Sequence, residues 1–105
     1  MFIAGQIGWD PRSERFTSTA LADQATQALK NVLAVLAEAE GRPEHIVRMT
    51  WYLTSRSEYV AQLKQIGAAY RQIMGKHFPA MSAIEVAALI EPLARVEIEA
   101  TAVIP

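Results

Sequence analysis

The sequence predicts an α+β sandwich with two helices on one face of a mixed sheet. Three observations carry this. The segments run in the order strand, helix, strand, helix, strand, strand. Two long segments place apolar residues at helical spacing, while two others alternate apolar and polar residues with period two. No linker, internal repeat or low-complexity tract divides the 105 residues, so they are expected to form one domain, 1–105.

Met1–Gly8 is a short apolar run closed by glycine and reads as the first strand. Trp9–Arg15 is a turn-rich connection, because Asp10-Pro11 favours turn initiation. Thr17, Ser18 and Thr19 offer hydroxyl caps to the next helix. That helix is expected over Leu21–Glu40, with Ala25, Ala28, Leu29, Val32, Leu33, Leu36 and Ala39 on one stripe and Gly41 as its stop. His45–Thr54 is a strand with Val47, Met49, Trp51 and Leu53 on an apolar face and Arg48, Thr50 and Tyr52 on a mixed one. Ser55 or Ser57 can cap a second helix over Glu58–Lys76, which Gly75 ends. Its apolar face is Tyr59, Leu63, Ile66, Tyr70, Ile73 and Met74. The chain then turns at Phe78-Pro79. Ser82–Leu89 is the third strand, broken by Ile90-Glu91-Pro92. In the fourth, Ala94–Ile104, Val96, Ile98, Ala100, Ala102 and Ile104 oppose Arg95, Glu97, Glu99, Thr101 and Val103.

Two helices cover only one face of such a sheet. The other face is expected to carry Arg48, Thr50, Tyr52, Ile84 or Glu85, Glu97, Glu99 and Val103. Tyrosine and aliphatic residues among charges on an open face invite another subunit, so a homo-oligomer is predicted.

The formal net charge of −1 comes without any lysine or arginine cluster, which argues against nucleic acid or an anionic membrane surface as partner. With 51% hydrophobic residues the chain can build a core. It has no cysteine, which excludes disulfides and thiol chemistry and suits a reducing, cytoplasmic setting. The N-terminus lacks a signal-peptide pattern, and no apolar run is long enough to span a bilayer. The first strand starts without a lead-in, so the natural protein is expected to begin upstream of Met1.

No glycine loop for phosphates and no metal-ligand pattern is present. His45 and His77 sit at element edges and read as loop residues, and the two aspartates, Asp10 and Asp23, are poorly placed for a catalytic triad. Glu97 and Glu99 share one strand face. Either they are solvated and paired with Arg95 or Arg48, or one of them lines an interface pocket and activates a water. Glu85 reads as a satisfied structural residue or an edge charge, with bonding to backbone amides across an interface as the alternative.

Several stretches resemble the RidA (YjgF) family of reactive enamine/imine deaminases. Ala4-Gly5-Gln6-Ile7 is similar to that family's S-G-Q-I, and Gln24–Val32 to its Q-A-x-Q-x-L-x-N-V helix. His45–Thr50 is similar to D-I-V-K-x-T, Phe78–Leu89 to F-P-A-R-S-x-x-E-V-A-x-L, and Val96–Val103 to I-E-I-E-A-x-A-V. The resemblance implies a chorismate-mutase-like fold, a trimer with its sheets forming an inner barrel, and pockets between subunits. It also implies cofactor-free hydrolysis of imines or enamines, in which an arginine forks onto the substrate carboxylate and a water held by a glutamate attacks the imine carbon.

The carry-over is partial. Glu97 stands at the water-activating glutamate, and Gly5 and Ser82 are retained. Met81 stands at the arginine, Ala83 where a cysteine is common, Ala4 at the serine beside Gly5, and Gly67 at an asparagine. The tyrosine-bearing first strand of the family has no counterpart. Loss of the arginine removes a charge-assisted pair and predicts roughly hundredfold poorer use of small 2-imino acids, unless Arg48 or Arg95 reaches the pocket from a neighbour. A divergent hydrolase with Glu97 as base, acting on a larger imine, enamine or carbonyl compound that Met81 contacts, is one reading. A non-catalytic metabolite-binding trimer and a structural subunit are the others.

Overall fold

The computed structural model describes residues 1–105. Its elements are β1 (Phe2–Ile7), α1 (Leu21–Glu38), β2 (Ile46–Leu53), α2 (Arg56–Ala61), α3 (Leu63–Met74), β3 (Ala80–Glu85) and β4 (Val96–Ala102). The sheet order is β1-β4-β2-β3. The last strand inserts between the first two and runs antiparallel to both, while β2 and β3 are parallel neighbours joined through α2 and α3.

Alternation sorts the residues into two layers. Val96, Ile98, Ala100 and Ala102 of β4 and Met49, Trp51 and Leu53 of β2 are buried against the helices. α1 lies over β4 and β1, with Ala25, Ala28, Leu29, Val32 and Leu36 buried. α3 packs chiefly on α1 through Ile66, Tyr70 and Met74. Because α3 leans on α1 rather than on the sheet edge, β3 is exposed along its whole length.

The open face is arranged in cross-strand rows, which follow from the register. Phe2, Thr101, Arg48 and Ala80 form one row; Glu99, Thr50 and Ser82 the next; Ile7, Glu97, Tyr52 and Ile84 the third.

Four local expectations are corrected. Val47 does not join the apolar face: β2 bulges between Ile46 and Arg48, so Ile46 turns inward and Val47 is exposed. The second helix is two, broken at Gln62, whose backbone departs from helical geometry. The third strand spans Ala80–Glu85 rather than Ser82–Leu89, because its parallel ladder starts opposite Arg48 and stops when Val86 donates to the Leu53 carbonyl at 2.7 Å. The first helix ends at Glu38, and Glu40, not Gly41, takes the positive φ of 61°. Gly41 is needed for closeness, since a Cβ there would lie 2.7 Å from Leu36 Cγ.

The hydroxyls before α1 do not cap it directly either. Ser18 accepts from Ala20 and donates to Asp23, but the N-cap is Ala20. The free N–H groups of Leu21 and Ala22 donate instead to Glu58 (3.0 Å) and Gln62 (2.7 Å), so α2 and the residue that follows it cap α1 from across the fold. Ser55 caps α2 as expected, accepting from the Glu58 N–H, and Gly75 ends α3 with φ 67°.

Candidate functional site

The residues singled out in the sequence fall into two places. Gly5 and Glu97 meet on the open face. Glu97 is half-buried on β4, and its side chain occupies the space above Gly5: a Cβ on Gly5 would lie 2.7 Å from Glu97 Cδ and 2.8 Å from Cγ. β1 bulges between Ile3 and Gln6, and that irregularity brings the glycine backbone under the carboxylate. No hydrogen bond or ion pair from the chain engages the Glu97 carboxylate. It is free to hold a water or a substrate proton.

Beside it, Glu99 accepts a 2.7 Å hydrogen bond from the Tyr52 hydroxyl. That bond, with desolvation and the negative charges of Glu99 and Glu97, pushes the Tyr52 phenol above its ordinary range and keeps it protonated as a donor. Neither glutamate is paired with an arginine. Arg95 is committed to Glu58, its Nη1 2.9 Å from Oε2. Arg48 makes no ion pair and borders a depression of about 300 Å³ on the open face with Thr50, Glu99 and Thr101.

Met81 and Gly67 meet elsewhere. In the register with β2, Met81 pairs with Met49 and Ala83 with Trp51, so both point to the helix side. There Met81 and Gly67 line a cavity of about 200 Å³ with Trp51, Tyr59, Leu63 and Phe78. Phe78 stacks on Tyr70 with ring centroids 5.6 Å apart. The Tyr70 hydroxyl donates to the His77 carbonyl at 2.9 Å, and burial pushes its pKa up. This cavity exists because α3 stands off the sheet edge.

Ser82 faces the open side, paired with Thr50, two strands from β4 and therefore about 10 Å from the Glu97 strand. Met81 and Glu97 project from opposite faces with β2 between their strands. One copy of the chain does not bring them together. Glu85 is structural: its Oε1 accepts the Arg56 N–H at the start of α2, at 2.7 Å. The histidines hold the backbone, His45 Nδ1 accepting from Arg42 N–H and His77 Nε2 lying 2.7 Å from the Ile46 carbonyl oxygen.

Sequence reasoning did not single out Trp51 and Tyr52 as site residues. Both were placed on the correct sheet faces by alternation, but which neighbours those faces meet depends on α3 and β4. The signal was their aromatic character, the two being the only aromatic residues of β2.

Comparison with known proteins covers nearly the whole chain. A family model described as endoribonuclease L-PSP matches residues 1–104. The human protein named 2-iminobutanoate/2-iminopropanoate deaminase is 36% identical over 103 residues, 98% of this chain and 72% of the human one. Among solved structures, the Escherichia coli YjgF gene product aligns with TM-score 0.82 and 31% identity over 97% of this chain and 78% of its own. E. coli TdcF, solved with bound serine, aligns with TM-score 0.84 and 30% identity over 99% and 80%.

Proposed function

The chain belongs to the endoribonuclease L-PSP (YjgF/RidA) family and has its chorismate-mutase-like α+β fold, and from that premise we propose that it is a cofactor-free hydrolase of imines or enamines. The observation that carries this is Glu97, an unpaired carboxylate seated over Gly5 on an open sheet face. In the proposed reaction Glu97 accepts a proton from a water that attacks the imine carbon and passes it to the imine nitrogen, giving a carbinolamine. Glu97 then carries the carbinolamine hydroxyl proton to that nitrogen, and the C–N bond breaks to release a carbonyl compound and ammonia. Tyr52 holds Glu99 by its hydrogen bond and leaves Glu97 free.

The site is proposed to close between copies. Phe2, Ile84 and Val103 are exposed apolar residues at or beside the open face, and the outer edge of β3 is unpaired. A homotrimer would bring Met81, Ser82 and Ala83 of one subunit toward Gly5 and Glu97 of the next. The small-molecule substrate would bind in that cleft, with Gly67 at its rim. Lack of cysteine suits the cytoplasmic location proposed for it.

RNA cleavage, which the family description names, is less favoured by charge. The rows of the open face carry Glu97 and Glu99 against Arg48 alone, and an acidic face repels a phosphate backbone.

Ammonia release from imines generated in situ tests the reading. Glu97→Gln is expected to lower kcat/KM at least about a hundredfold. Met81→Arg is expected to raise turnover of 2-iminopropanoate by a similar factor by restoring a carboxylate fork. Imine hydrolysis indifferent to Glu97→Gln would sink the proposal, and saturable ligand binding without any turnover would favour a non-catalytic metabolite-binding protein.

A further inference from the structure

We propose that the cavity between α3 and the β2–β3 edge receives a neutral aromatic ring or branched alkyl group, so that the substrate is a bulky apolar imine or enamine rather than a short 2-imino acid. The proposal rests on the hydrolase reading above and specifies its substrate class.

The lining decides the chemistry. The cavity is bounded by Trp51, Tyr59, Leu63, Gly67, Phe78 and Met81, with no charged side chain among its lining residues. The Arg71 guanidinium lies beside Gly67, its Nη1 3.4 Å from where a Cβ would sit, but is not among the lining residues. A carboxylate seated against the aromatic wall of Trp51, Tyr59 and Phe78 would therefore lose hydration without a cation in that wall, which costs several kcal/mol. The hydroxyl of Tyr70, nearest the stacked Phe78 ring, is already occupied by the His77 carbonyl.

Size narrows the occupant. The cavity holds about 200 Å³. An apolar protein cavity of about 150 Å³ accommodates benzene, so one ring with a short substituent fits. Gly67 and Met81 create this room. Gly67 leaves α3 without a side chain at the wall, and Met81 is a flexible thioether that adapts to a ring edge.

Trp51 supplies the measurement. It is buried, lines the cavity, and its indole N–H is the one buried side-chain polar atom without a partner, so its fluorescence responds to what enters. The only other tryptophan, Trp9, packs against Phe16 at a tilt, ring centroids 5.8 Å apart, and can be replaced conservatively.

In the full chain carrying Trp9→Phe, titration with benzyl alcohol should give a saturable change in Trp51 emission, and pyruvate should bind at least about tenfold more weakly. Gly67→Leu should weaken benzyl alcohol at least about tenfold by filling the cavity. It should fold, since a Cβ at Gly67 meets only Arg71 Nη1, at 3.4 Å, and leucine favours a helix. Met81→Arg should reverse the preference toward pyruvate. Equal binding of pyruvate and benzyl alcohol by the unfilled cavity, or benzyl alcohol binding unchanged by Gly67→Leu, would overturn the proposal. Cavity binding that follows this pattern in a protein with no imine turnover would overturn the hydrolase reading alone. Turnover of a benzaldehyde-derived imine that depends on Glu97 but not on Gly67→Leu would overturn the cavity assignment alone.

Discussion

Gly5 shows how a single missing side chain shapes the site. The Glu97 carboxyl group fills the space its Cβ would take. The obstructing atoms belong to the end of a flexible side chain, so Gly5→Ala is expected to fold with a stability change under about 1 kcal/mol. It should nonetheless displace the carboxylate and lower imine turnover at least about tenfold, which parallel denaturation and ammonia-release measurements will check. Tyr70 gives a pH prediction. Burial raises its pKa above the ordinary tyrosine value near 10. The unfolded chain therefore loses this proton first as pH rises. Its contribution to stability is complete below about pH 10 and is lost as pH passes through the higher folded value. Urea denaturation between neutral and strongly alkaline pH should show that decline, and Tyr70→Phe should flatten it while removing the bond to the His77 carbonyl.

At the scale of elements, the informative feature is the break at Gln62. A continuous amphipathic pattern runs through Tyr59, Leu63, Ile66 and Tyr70, and periodicity reads it as one helix. The break places Glu58 and Gln62 where their side chains accept the N–H groups of Leu21 and Ala22. Glu58→Ala and Gln62→Ala should each cost about 1 kcal/mol, as loss of a helix cap does. The Glu58 change should cost more, because it also frees Arg95 from its ion pair. Equilibrium denaturation of the two variants decides the order. The bulge at Val47 has the same origin. Val47 keeps the alternation of its strand in the sequence, yet Ile46 turns inward to meet Ala102 of β4. That choice lies with a partner strand more than forty residues away, which local periodicity does not see.

For the whole molecule, the proposed reaction requires Met81 and Glu97 to reach one substrate, yet one copy holds them on opposite sides of the sheet. The proposed trimer would meet that requirement, and sedimentation will test it. Ile84, 47% exposed in the row with Tyr52 and Glu97, is the place to perturb. Ile84→Asp should convert the proposed trimer to monomer without unfolding it, and imine turnover should fall with the assembly. A monomeric wild type with full activity would refute the inter-subunit cleft.

Much of this protein was legible in its residues. Period-two runs in Val96–Ala102 and Met49–Leu53 and the helical stripe of α1 specify which side of each element is buried, because burial follows local spacing. The order of elements, and the motifs from Ala4 to Val103, lead to the α+β fold and the family. The grouping of the site residues was not legible. Only the register of β4 between β1 and β2 sets Glu97 over Gly5, and only the lean of α3 onto α1 opens the cavity that joins Gly67 to Met81. Local sequence determines which face a side chain takes. Which distant faces then meet is decided by strand pairing and helix packing across the whole chain.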